Sequence, residues 1–141
     1  MEAFIEIEFV NGEPSKIRVK ASNGYYSGFT EDYINANWLI AMMEELKGFP
    51  KKTDSTVTFE SEPGKKEDAN LYFKFYCKDD FGHTGIRVCM KEGIYASSSE
   101  DEARFIINYE AAALDNFIKS LSHVINNGHG TATLQGVINN A

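Results

Sequence analysis

The chain has 141 residues, 43% of them hydrophobic, with ten Phe and seven Tyr. A domain near this length buries roughly 70% of the surface its unfolded chain exposes, so one core is expected to serve residues 1–141 as a single domain. Twenty-one acidic residues against fourteen basic ones give a formal net charge of -7, a field that repels a phosphate backbone and argues against nucleic-acid binding.

Met1–Val10 sets Glu2, Glu6 and Glu8 among apolar residues, unlike the basic start and apolar run of a secretory signal. No segment approaches the roughly 20 apolar residues of a bilayer span, so no membrane association is expected and the predicted location is the cytoplasm. The same run opens with period-two alternation, Ile5, Ile7 and Phe9 against Glu6 and Glu8, which predicts a half-buried strand. Asn11-Gly12 and Pro14 supply a turn, and Ile17, Val19 and Ala21 against Arg18 and Lys20 predict the partner of an antiparallel hairpin. Its acidic and basic outer faces suit cross-strand pairing.

Ser22–Phe29 reads as a loop rich in Gly and aromatics. Thr30 is then expected as the N-cap of a helix, with Glu31 and Asp32 in its first turn and an apolar stripe of Ile34, Trp38, Met42 and Leu46. The helix should run to about Lys47, with Gly48 as a left-handed C-terminal residue and Pro50 blocking continuation; Trp38 reads as a core anchor. For residues 38–43 a strand is the competing assignment, which the Ala-Met-Met-Glu-Glu-Leu-Lys run disfavours on propensity.

Further strands are predicted over Thr56–Ser61, Asn70–Lys78, Gly85–Glu92 and Arg104–Glu110. Alternation directs Cys77 inward and Cys89 outward, so two free thiols are expected. Residues 93–102 are expected to be irregular. Leu114, Phe117, Ile118, Leu121 and Ile125 mark a second helix ending at Gly128, Thr131–Val137 a last short strand, and Asn139–Ala141 a frayed end. The predicted class is α+β, a mostly antiparallel sheet packed by two helices in the order β-β-α-β-β-β-β-α-β.

No phosphate loop or dinucleotide fingerprint stands in strand-turn-helix context, so no cofactor is expected. Asp79, Asp80 and His83 have the chemistry of a divalent-metal site, but Asp79-Asp80-Phe81-Gly82-His83 fits a hairpin turn better, and no metal is assigned. His129, between two glycines, reads as a loop residue and His123 as a residue near a helix end. Cys89, with Arg87 and Lys91 on its face, is the better nucleophile candidate, although no His is placed as its base. Ser97-Ser98-Ser99 lacks a nucleophile-elbow context. The acidic residues Asp79, Asp80, Glu100, Asp101 and Glu102 read either as solvated face or as a patch for a basic protein partner. Tyr25 and Tyr26, clustered with Phe29 and Tyr33, are either interface or half-buried packing; for Tyr72 and Tyr76 burial under a helix is expected.

Asn37-Trp38-Leu39, the run Val57–Pro63, Leu71-Tyr72-Phe73, Ile86-Arg87-Val88, and Leu114, Phe117 and Leu121 form a pattern that resembles the WapI-type immunity proteins of bacteria. These are small acidic cytosolic proteins that neutralise the toxic tip of a cell-wall-associated polymorphic toxin. The resemblance implies a protein whose work is binding, occluding a toxin, often a nuclease, without catalysis of its own. The acidic surface suits a basic toxin domain, and composition leads to the expectation of a monomer or small homo-oligomer. It implies no site residue. The alternatives from other classes are a small hydrolase or thiol enzyme using Cys89 or the Asp79, Asp80 and His83 group, and an oligomeric structural protein.

Overall fold

The computed structural model describes residues 2–91 and 101–138. Its elements are β1 (Ala3–Val10), β2 (Ser15–Asn23), β3 (Ser27–Ile34), α1 (Ala36–Leu46), β4 (Thr56–Glu60), β5 (Leu71–Cys77), β6 (Thr84–Lys91), β7 (Glu102–Tyr109), α2 (Ala111–Asn127) and β8 (His129–Gln135), with a short 3-10 turn at Lys66–Asp68. The strands form two antiparallel four-stranded sheets, ordered β3-β2-β1-β8 and β4-β5-β6-β7. The class is α+β. The helices are the two crossings between the sheets: α1 leads from β3 to β4, and α2 from β7 to β8.

The opening hairpin follows its alternation. Ile7 lies opposite Val19 and Phe9 opposite Ile17 with all four buried, while Glu8 lies opposite Arg18 on the outer face, their side chains 3.3 Å apart. Glu31 of the next strand takes Arg18 at 3.1 Å and Lys16 at 3.6 Å, extending the charge pairing across three strands.

Residues 27–34 correct the expected loop and helix start. Thr30, Asp32 and Ile34 turn inward and Phe29, Glu31 and Tyr33 outward, so the segment is the strand β3 paired with β2, and Thr30 caps nothing. Sheet pairing along the full length of β2 outweighs the local capping signal. The helix starts one turn later, where Asn35 Oδ1 accepts the Asn37 N–H at 2.9 Å. Its buried face is Leu39, Met42, Met43 and Leu46, so Trp38, at 37% exposure, is not a core anchor. Gly48 holds φ +74, the left-handed conformation expected after the helix.

α2 buries Leu114, Phe117, Ile118, Leu121 and Val124 and ends at Gly128, whose φ of +83 lets its N–H reach the Val124 and Ile125 carbonyls. Both helices bury their apolar faces in the one cluster that the inward residues of all eight strands fill. The two sheets meet at a seam: beyond β8, Val137 N donates to Asn108 O at 2.8 Å, an antiparallel bridge to the edge strand β7. Gly136 beside it is closely enclosed; a Cβ there would stand 2.7 Å from Ile107 Cγ2 and 3.0 Å from Ala3 Cβ. A polar contact also ties the sheets, where buried Asp32 accepts from Asn70 Nδ2 at 3.4 Å. Desolvation pushes the Asp32 carboxyl up from its ordinary value.

Candidate functional site

The β2-β3 turn is built around Asn23. Its Oδ1 accepts the Tyr25 and Tyr26 N–H groups at 2.9 and 2.8 Å, and its Nδ2 donates across to Ile106 O on β7 at 3.3 Å. Gly24, at φ +95, takes the left-handed position that this tight turn needs. One side chain thus shapes the turn and fastens it to the other sheet. Beyond the turn Gly28 lies close against β6 and β7; a Cβ there would stand 2.9 Å from Met90 Sδ and 3.3 Å from Ala103 Cβ.

Fastened in this way, the turn presents Tyr25 at 65%, Tyr26 at 68% and Phe29 at 51% exposure. The half-buried reading of these residues does not hold: they are exposed to solvent. Phe29 and Gly28 share a shallow depression with Lys91, Asp101 and Glu102. Phe29 at the start of β3 and the start of β7, more than 70 residues apart in sequence, therefore share one surface. Glu102 pairs with Arg104 at 3.2 Å. Glu100, and the serine run before it, lie outside the described residues.

Asp79 and Asp80 belong elsewhere. They occupy the β5-β6 turn, at the end of β6 opposite Lys91 and Glu102, on the order of 25 Å away for a strand of this length. There Asp79 Oδ1 accepts the Phe81 N–H at 2.8 Å and the His83 N–H at 3.3 Å, Oδ2 meets His83 Nδ1 at 2.6 Å, and Gly82 takes φ +83. That is the turn geometry expected of the sequence. The His83 hydrogen bond holds the Asp79 carboxyl below its ordinary value. Among the described residues no group of three His, Cys, Asp or Glu is placed to hold a metal ion.

Both cysteines are free. Cys89 does lie on the outer face of its sheet, between Tyr72 and Arg104, yet it is 2% exposed. The cover is the segment after β4. Glu67 reaches Arg87 Nε at 3.3 Å and also bonds Arg104, closing over the thiol, which burial pushes up despite the neighbouring cations. A thiolate nucleophile is disfavoured there. Tyr72 is buried on the same face; the 3-10 turn, not a long helix, covers it. His129 is the first residue of β8 and not a loop residue.

Two features went unnoticed in the sequence. Asn23 reads as one more loop amide, and only its reach to Ile106 distinguishes it. Tyr33 and Trp38 sit on opposite sides of the Asn35 cap and line a broad depression with Pro14, a juxtaposition that appears once β3 is a strand. No helix is long and apolar enough to cross a membrane among the described residues. Comparison with known proteins returned no match to any family model, curated protein or solved structure.

Proposed function

We propose that this chain is an immunity-type protein of the cytoplasm that binds a basic toxin domain and neutralises it by covering its working surface. The observation that carries the reading is the Asn23-fastened turn, which holds Tyr25 and Tyr26 exposed, with Phe29 of the same hairpin exposed beside Asp101 and Glu102. Exposed tyrosines on a fixed backbone give large contact area at low entropic cost, and central aromatic side chains dominate many interfaces. The formal charge of -7 attracts a cationic partner and speeds encounter.

Co-expression with a co-encoded toxin domain tests the reading, together with isolation of the complex from source cells and mass spectrometry of the captured protein. The expected results are rescued growth and a stoichiometric complex that weakens with added salt. Combined Tyr25→Ala and Tyr26→Ala should cost about 2 kcal/mol or more of binding while leaving thermal stability nearly unchanged. Growth that stays inhibited with both proteins present would sink the proposal.

A further inference from the structure

The outward face of the second sheet carries a cationic pair at its middle. Lys74 on β5 lies directly opposite Arg87 on β6. Like charges in that position repel and cost stability, which is unexpected in a chain with seven more acids than bases. Only one of the pair is neutralised. Glu67 lies 3.3 Å from Arg87 Nε, whereas Lys74 has no carboxylate within ion-pair distance among the described residues.

Both cations line one depression of about 360 Å³ together with Tyr76, Cys77, Ile106 and the turn Thr53, Asp54, Ser55 and Thr56, which brings three hydroxyls and one carboxylate. Asp54 is not within ion-pair distance of Lys74. Its walls are set by the fold. The Tyr76 ring lies across Gly85, where a Cβ would stand 3.2 Å from the tyrosine oxygen, so the absence of a side chain at position 85 fixes where the ring rests. Ile106, 40% exposed and opposite Arg87, is an apolar residue on an otherwise polar face. The depression therefore offers an unpaired lysine, an arginine already held by Glu67, one carboxylate, several hydroxyl donors, an aromatic surface and an aliphatic wall.

We propose that this depression is a binding site for a small organic anion, a phosphate monoester or carboxylate whose charged group lies between Lys74 and Arg87 and whose apolar body rests against Tyr76 and Ile106. Charge-assisted bonds from lysine and guanidinium suit such a group. The anion would give Lys74 the counter-charge it lacks and offset what repulsion from Arg87 remains after the Glu67 pair. The site adjoins the β2-β3 turn at Ile106, whose carbonyl takes the Asn23 amide, but its charged contacts, Lys74 and Arg87, are not part of the aromatic turn.

The test is an amide and side-chain NMR titration of the full chain with phenyl phosphate and with benzoate, using benzyl alcohol as the uncharged control. The expected result is saturable shifts at Lys74, Tyr76, Arg87 and Ile106 with a Kd below about 1 mM for at least one anion and none for the alcohol. Lys74→Ala should weaken that binding by about tenfold or more and Lys74→Arg should largely preserve it, with unchanged dispersion elsewhere showing both variants folded. Absence of saturation with either anion would overturn the proposal. Equal binding by the Lys74→Ala variant, or shifts spread over the other surface lysines, would overturn it as well.

Discussion

Neighbouring residues in α1 show how far one position decides a side chain's role. Leu39 is wholly buried, whereas Trp38 keeps 37% of its surface in solvent. Leu39→Ala should therefore cost about 2 to 5 kcal/mol in a denaturant titration, and Trp38→Ala less than about 1 kcal/mol; the reverse order would refute the assignment of faces. Asp32 supplies a pH signature. Its raised value means that the folded state holds the proton more tightly than the unfolded chain. Its contribution is fully present below the ordinary value of 3.8 and is lost as pH rises through the folded value. The stability of the native chain relative to Asp32→Asn should thus grow on acidification and level off below that ordinary value. Denaturation of both proteins across a pH series checks it, and a flat difference would remove the desolvation account.

The segment between β4 and β5 acts as a strap across the second sheet. Glu60 Oε2 accepts the Gly64 N–H at 2.7 Å and the Lys66 N–H at 3.2 Å, Glu62 accepts the Asn70 N–H at 3.1 Å, and Glu67 joins Arg87 to Arg104. A thiol reagent should accordingly modify half-buried Cys77 before Cys89 in the native protein, and Glu67→Ala should raise the rate at Cys89. Mass spectrometry of timed labelling reads this; equally fast labelling of both cysteines in the native chain would contradict the cover. None of it was legible in the sequence, because the strap's anchors on the sheet lie 20 and 37 residues from Glu67. By contrast β1, β2, β5 and β6 were legible, since an apolar residue at every second position leaves one register that buries the correct face. β3 was not. Thr30-Glu31-Asp32 satisfies the chemistry of a helix cap, and Ile34 fits a four-residue stripe as well as it fits an inward strand position.

At the scale of the whole molecule, two separate sheets replace the single helix-covered sheet that the order of elements suggested. The sequence pattern specified each hairpin but carried no sign of how the two sheets join. The junction rests on long-range contacts, the bridge between Asn108 and Val137 beside Gly136 and the hydrogen bonds of Asp32 with Asn70 and of Asn23 with Ile106, whose residues have no distinctive flanks. The same holds for the candidate surface: Tyr25, Tyr26, Asp101 and Glu102 were visible as types, but the reach of Asn23 to Ile106 and the placing of Phe29 beside Asp101 and Glu102 were not, while Asp79 and Asp80 fall at the far end. Gly136→Ala, which forces a methyl group against Ile107, Ala3 and the Asn108 carbonyl, should destabilise the chain by about 1 to 3 kcal/mol. A variant as stable as the parent in thermal denaturation would show that the seam yields easily.

The pairing of β1 with β8 bears on how the chain is made. β1 lies between β2 and β8, yet residues 129–135 leave the ribosome well over a hundred residues after it. At ordinary elongation rates that is a wait on the order of ten seconds, during which the hairpin offers an open hydrogen-bonding edge to any other nascent strand. Glu6 and Glu8, which end opposite Thr133 and Thr131, place charge on that waiting strand. Charge at such an edge disfavours pairing with a foreign strand before the native partner arrives.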